Sequence, residues 1–118
     1  MDDLDGGVGR DHLGERPDGR HVLAGADLEK ADLDEAYLER ANLEGANLHK
    51  ADLEKANLKS ANLKGANLSG ADLEEADLYK ANLTNADLTK ANLENAYLDG
   101  ADLTGANFEG AELEGAVK

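Results

Sequence analysis

Hydrophobic residues recur every five positions over residues 26–115. In these eighteen consecutive units the first residue is always Ala, and the third is Leu in every unit except at Phe108. The second residue is Asp or Asn apart from Tyr37, Tyr97 and Glu112, and the fourth and fifth are mostly charged, polar or Gly. Repetition at a fixed period is typical of repeat proteins, so the period decides the architecture before any local propensity does.

A period of five suits neither a helix nor a continuous strand. Ala, Leu, Glu and Lys all favour helices, but at ~100° per residue successive leucines would spiral around a helix and leave no apolar stripe. In a strand, Ala and Leu of one unit share a face, whereas the next Ala, three residues after Leu, would point outward. The pattern therefore predicts a three-residue extended side with Ala and Leu inward, followed by a two-residue corner.

The fifth position has the residues that such a corner needs. It holds Asn85 and Asn95, and it holds glycine at Gly45, Gly65, Gly70, Gly100, Gly105, Gly110 and Gly115. Gly and Asn tolerate the positive φ that a type II turn requires at its third residue. The Asp and Asn side chains of the second position are expected to point outward and to hydrogen-bond nearby backbone at the corners.

The units 41–45 (Ala-Asn-Leu-Glu-Gly) and 66–70 (Ala-Asn-Leu-Ser-Gly) resemble the consensus of the pentapeptide-repeat proteins. This resemblance implies an all-β fold, a right-handed quadrilateral β-helix with four units and twenty residues per coil, and hence about 4.5 coils. Twenty-residue stacking also brings like residues together. For example, Tyr37 and Tyr97 lie sixty positions apart and fall in one column.

The first twenty residues are different in composition. Residues 1–20 are rich in Gly and Asp and include the single proline, Pro17, so we predict a flexible leader, with an ordered N-terminal cap as the alternative. The β-helix is assigned to residues 21–118, beginning with a degenerate side at residues 21–25. The leader lacks the apolar core of a signal peptide, and no apolar run is long enough for a membrane span. These features predict a cytoplasmic protein.

Acidic residues dominate the charge, which is −14 over 118 residues. With twenty residues per coil, the column of units beginning at Ala31 has a net charge of −10, with Lys55 as its only base. Its acids are Asp32, Asp34, Glu35, Asp52, Glu54, Asp72, Glu74, Glu75, Glu94, Glu112 and Glu114. We call these residues the acidic column. The column predicts a protein partner with a basic surface and disfavours direct binding to nucleic acid or membranes. The alternative is a face that only keeps the protein soluble.

Two functions follow from these observations. The first is a non-enzymatic structural or protein–protein interaction module. The second is an acidic DNA mimic that binds DNA gyrase or another type II topoisomerase. The resemblance implies this function, because several pentapeptide-repeat proteins are similar to B-form DNA in charge and girth and inhibit DNA gyrase or protect it from quinolones. Those family members are typically longer and dimerise through a C-terminal module that has no counterpart here.

A second candidate surface lies in the column of units beginning at Ala36. It combines aromatic and basic residues, namely Tyr37, Arg40, Lys59, Tyr79, Lys80 and Tyr97. Tyr and Arg are frequent anchors of protein interfaces. The alternative is that tyrosine merely replaces Asp or Asn at a tolerant outward position.

The C-terminal coil supplies the third candidate surface. Its inward residues are Leu98, Leu103, Phe108 and Leu113. An uncapped β-helix exposes unpaired backbone groups and apolar side chains at its end. We therefore predict an end-to-end homodimer through this coil, the alternatives being further chain after Lys118 or capping by Phe108.

Residues suited to catalysis are sparse. The serines are Ser60 and Ser69, the histidines His12, His21 and His49 are scattered, and cysteine is absent. No spacing pairs a nucleophile with a base, and evenly spaced acids without a turn-bearing loop are not a calcium motif. The sequence predicts a protein that is not an enzyme and has no catalytic, cofactor or metal site.

Overall fold

The structure is a computed structural model that describes residues 21–118, so the predicted flexible leader lies outside the described residues. From residue 21 onward the backbone consists of single-residue parallel bridges and turns, without a helix or a multi-residue strand. Each bridge joins a second-position residue to the residue twenty positions later, from Val22 with Asn42 to Tyr97 with Val117. A chain that pairs with itself at one constant offset forms stacked coils. The predicted all-β solenoid is confirmed.

Each side is held to the next coil by a repeating set of backbone hydrogen bonds. In one example, the Leu43 N–H donates to the Asn62 carbonyl at 2.7 Å, and the Asn62 N–H donates to the Ala41 carbonyl at 2.9 Å. The Gly45 N–H donates to the Lys64 carbonyl at 2.9 Å. Because each interior side is paired with the coils on both sides of it, very short extended segments suffice to satisfy the buried backbone.

The corners are β-turns with a left-handed residue in the fifth position. The Ala46 N–H donates back to the Leu43 carbonyl at 3.0 Å, and the same bond recurs from unit to unit. Eight glycines and eleven other residues have positive φ in this position, from 57° at Ser60 to 78° at Gly115. The predicted positive φ at Gly and Asn is confirmed. Lys, Glu, Arg and Ser adopt it as well, because the turn bond and the inter-coil bond together outweigh a strain of about 1–2 kcal/mol per residue.

The second-position side chains brace these corners. Every Asp and Asn in this position from Asp27 to Asn107 accepts a hydrogen bond at Oδ1 from the N–H two residues later, at 2.9–3.2 Å. The expected hydrogen bonding at the corners is therefore confirmed. Tyr37 and Tyr97 have no oxygen at this point of the side chain, so their units lack the brace.

The core is a stack of alanine and leucine layers. Every leucine from Leu28 to Leu98 is at most 2% exposed. In the last coil Leu103, Phe108 and Leu113 are only partly buried. At the other end, residues 21–25 carry a bridge at Val22 and a φ of 69° at Gly25, the same local geometry as the later units.

Candidate functional site

The twenty-residue register gathers the acidic column on one side of the solenoid. Parallel bridges join Asp32 to Asp52, Asp52 to Asp72 and Asn92 to Glu112. Because each bridged residue is followed two positions later by a fourth-position acid, a second line of carboxylates runs beside the first. All eleven acids are exposed or half-buried. The side thus presents two parallel lines of negative charge to solvent.

Three carboxylates come close together near the start of this column. Carboxylate oxygens of Asp34, Asp52 and Glu54 lie within 4.8 Å of one another. Partial desolvation, followed by repulsion from Asp52, raises the pKa of Asp34. Desolvation, followed by repulsion from Asp72 and Glu74, raises the pKa of Glu54. The charged forms are thus disfavoured first by desolvation and then by mutual repulsion, and a nearby cation would relieve the repulsion.

The pKa of Glu94 is raised in the same way further along the column. Desolvation contributes most, and repulsion from Glu112 and Glu74 adds to it. Asp87 and Asp102 lie on other sides and behave oppositely. The Thr89 hydroxyl and N–H donate to Asp87 and lower its pKa, and Thr104 lowers the pKa of Asp102 through the same contacts.

The three tyrosines share the next side, which begins at Ala36 and which we call the tyrosine side. Tyr37, Tyr79 and Tyr97 are 46%, 43% and 51% exposed. The Tyr37 hydroxyl donates to the Glu39 carboxylate at 3.1 Å, and this hydrogen bond raises the pKa of Tyr37. The Lys80 ammonium lies 5.3 Å from the centre of the Tyr79 ring. The tyrosine side therefore displays aromatic rings that are solvent-accessible and already attract charged neighbours.

A groove of about 340 Å³ lies between two of these rings, and we call it the Tyr79–Tyr97 groove. Its walls are Lys59, Asp77, Tyr79, Tyr97 and Asp99. The Lys59 ammonium is 3.7 Å from the Asp77 carboxylate. Sequence reasoning selected Lys59 and both tyrosines but missed the two aspartates. Their positions in the twenty-residue register, second and fourth in the same column, were the signal that identifies them.

The remaining members of the predicted aromatic and basic surface lie elsewhere. Tyr37 does not line the groove. Lys80 does not line it either, although its ammonium lies over the Tyr79 ring. Arg40 instead borders a second depression of about 280 Å³ together with His21 and Ser60. His21 is 2% exposed, and its Nδ1 has no hydrogen-bond partner within the described chain. The structure therefore divides the predicted surface into two parts.

One serine lies within hydrogen-bond distance of a histidine. Nδ1 of His49 is 2.8 Å from the Ser69 hydroxyl oxygen, which itself donates to Oδ1 of Asn67 at 2.6 Å. Because the Ser69 proton is used on Asn67, His49 is the donor in the first contact. A histidine that donates to serine does not take up its proton, so this geometry does not activate Ser69 as a nucleophile.

The five-residue repeat of this chain is similar to that of known proteins. The family model for pentapeptide repeats matches residues 22–59, 56–95 and 81–117, with eight copies. No curated protein matches the chain. Among the described residues, no helix is long and apolar enough to cross a membrane.

Solved structures give similar matches. The pentapeptide repeat protein Rfr23 from the cyanobacterium Cyanothece 51142 is 48% identical over 70% of this chain and 59% of its own, with a TM-score of 0.38. HetL from Nostoc sp. strain PCC 7120, involved in heterocyst differentiation regulation, is 32% identical over 82% of this chain and 70% of its own, with a TM-score of 0.48. A trypsin-treated form of QnrB1, a plasmid-mediated fluoroquinolone resistance protein, is 21% identical over 82% of this chain and 60% of its own, with a TM-score of 0.54.

Proposed function

Because the chain belongs to the pentapeptide-repeat family, we propose that it is a non-enzymatic protein-binding module whose acidic column docks on a basic surface of a partner protein. The observation that carries the proposal is the stacking of eleven acids against one lysine on a single side. Carboxylates held close together, such as those of Asp34, Asp52 and Glu54, gain most from a cationic partner. The same field disfavours DNA and anionic membranes.

The form of the coil supports a docking role. We infer a four-sided coil and about 4.5 coils, since a turn follows every three-residue side and bridges join residues twenty apart. The right-handed winding that we infer with it is the one that membership of the pentapeptide-repeat family implies. Flat sides of this kind present a rigid, regular array of side chains. A rigid array loses little conformational entropy on binding.

The topoisomerase-directed DNA-mimic hypothesis has less support. The likeness to QnrB1 is 21% in identity, which shows a shared fold and nothing of a shared partner. Acidic charge is the one further feature in its favour, and that charge fits any basic partner. We therefore propose a basic protein surface as the ligand, without extending a topoisomerase role to this chain.

The test is a charge-neutralising variant with a matched control. Glu54, Glu74 and Glu94 are replaced by Gln, and in the control Glu29, Glu44 and Glu109, fourth-position acids on other sides, are replaced in the same way. Binding of a short oligolysine peptide is measured by calorimetry at low and high salt. We expect the column variant to bind about tenfold more weakly than the control, and salt to weaken the wild type, because exposed charges are screened. Equal affinity of the two variants would contradict the proposal.

We also propose that the C-terminal coil forms an end-to-end contact between two copies. What supports it is the partial exposure of Leu103, Phe108 and Leu113, where the same position in interior coils is closed to solvent. Covering one such layer would bury apolar area from both copies.

A further inference from the structure

We propose that the Tyr79–Tyr97 groove is the docking point for an arginine side chain of the basic partner. This inference rests on the proposed function and adds to it a position and a residue type. The groove is an open recess of about 340 Å³ lined by two aromatic rings, two carboxylates and the side chain of Lys59, which pairs with one of the carboxylates. That combination fits a planar cation.

The rings supply the first part of the argument. Tyr79 and Tyr97 are 43% and 51% exposed, so part of each side chain is accessible to a ligand. A cation within about 6 Å of a ring centre is attracted by the π electrons. The protein already shows this attraction, because the Lys80 ammonium lies 5.3 Å from the centre of the Tyr79 ring.

The carboxylates supply the second part. Asp77 pairs with Lys59 at 3.7 Å, near the long end of an ion pair, and its Oδ1 also accepts the Tyr79 N–H at 3.1 Å. The side chain of Asp99 makes no hydrogen bond or ion pair to any other residue of 21–118. One carboxylate is thus weakly paired and the other is free to accept from a ligand. Within the groove Lys59 already pairs with Asp77, and beside it Lys80 lies over the Tyr79 ring, so both kinds of group in the lining interact with cations of the protein itself.

Arginine fits this groove better than lysine. A guanidinium is planar, stacks on an aromatic face and donates two parallel N–H groups to a carboxylate, whereas an ammonium is a strongly hydrated point charge. Glu75, the last residue of an acidic-column unit, directly precedes Ala76 and Asp77. The groove therefore lies just across the corner between the side that carries the acidic column and the tyrosine side. Basic residues of one partner segment can reach the column while an arginine of the same segment enters the groove.

The experiment compares two tyrosines in the same column. Tyr97→Asn removes one wall of the groove and installs the residue that braces the corner at Asn82, where Oδ1 accepts the Thr84 N–H at 3.0 Å. The fold is therefore retained. Tyr37→Asn is the matched control, since Tyr37 lies outside the groove with its hydroxyl on Glu39. The probes are a short peptide of alternating arginine and glycine and its lysine counterpart, titrated by calorimetry.

We expect Tyr97→Asn to weaken binding of the arginine peptide about fivefold, which is the loss typical of one exposed stacking contact. Binding of the lysine peptide should weaken by less than about twofold. Tyr37→Asn should bind both peptides as the wild type does. Lys59→Gln should tighten the arginine peptide about two- to threefold by freeing Asp77. Lys64→Gln, the same charge change on another side, should have a smaller effect.

The outcomes separate this inference from the proposed function. Equal binding of the arginine peptide by Tyr97→Asn and Tyr37→Asn would overturn the groove assignment, while the acidic column keeps its role if its own Gln variant still binds weakly. Equal losses for the arginine and lysine peptides would overturn the assignment to arginine. Failure of the wild type to bind either peptide would overturn both proposals.

Discussion

Leu73 and Leu113 occupy the same position of the same column, forty residues apart, yet their environments differ. Leu73 is fully buried, and its N–H donates to the Asn92 carbonyl at 2.6 Å. Leu113 is partly buried, and its N–H has no backbone partner within residues 21–118. Among residues 21–118, the interior coil has neighbours on both sides, whereas the last coil pairs with the coil before it. Burial in this protein is therefore a property of the stack and not of the five-residue unit.

The largest effect should come from placing a charge in each of these two layers. Leu73→Lys puts an unpaired ammonium in a closed layer, which costs several kcal/mol and should unfold the protein. Leu113→Lys should cost about 1–2 kcal/mol, because the lysine stem reaches solvent at the open end. Thermal unfolding followed by circular dichroism measures both. Equal melting temperatures for the two variants would show that the interior and terminal layers do not differ in this way.

An intermediate effect is expected from a substitution that prevents two copies from associating through the terminal layer. If two copies meet through the last coil, Phe108→Asp should remove the dimer, since it places a carboxylate where about 2 kcal/mol of aromatic burial is otherwise gained. Leu73 and the interior layers would be unaffected, so the monomer should keep its β spectrum. Sedimentation over a range of concentrations gives the mass. A wild type that stays monomeric throughout would contradict the end-to-end contact.

The core was predictable because it depends on one residue type at each fixed position. Alanine and leucine repeat at the first and third positions, so inward and outward assignments follow from the period, and the corners were predictable where the fifth residue is Gly or Asn. The groove was only half predictable. Tyr79 and Tyr97 stood out by type, whereas Asp77 and Asp99 look like ordinary solvated acids until the twenty-residue register sets them beside the rings.

Positive φ at Lys30 or Arg40 was not predictable from residue type, because these side chains ordinarily avoid the left-handed region. The twenty-residue ladder imposes that conformation from outside the unit. In the same way, the partial exposure of the last leucines depends on which coils are neighbours, and a single unit does not contain that information. What the sequence misses in both cases is an interaction between coils.

The smallest effect concerns the acidic column, which crosses both the interior and the terminal coil. The pKa values of Asp34, Glu54 and Glu94 are raised, so the folded state binds protons more readily than the unfolded chain. Stability should therefore rise as the pH falls from neutral into the range of these raised pKa values, which lie above the ordinary values of the same groups. At lower pH, Asp87 and Asp102 reverse the trend, because their lowered pKa values mean that stability is lost as they are protonated. The melting temperature should thus pass through a maximum between the two ranges.

Replacing the three column acids by Asn or Gln should flatten the rise, whereas Gln at Glu29, Glu44 and Glu109 should preserve it. A melting temperature that falls steadily from neutral pH downward would show that repulsion within the column does not lower the stability of the folded state. The acids of the column would then be too well solvated to favour a cationic partner.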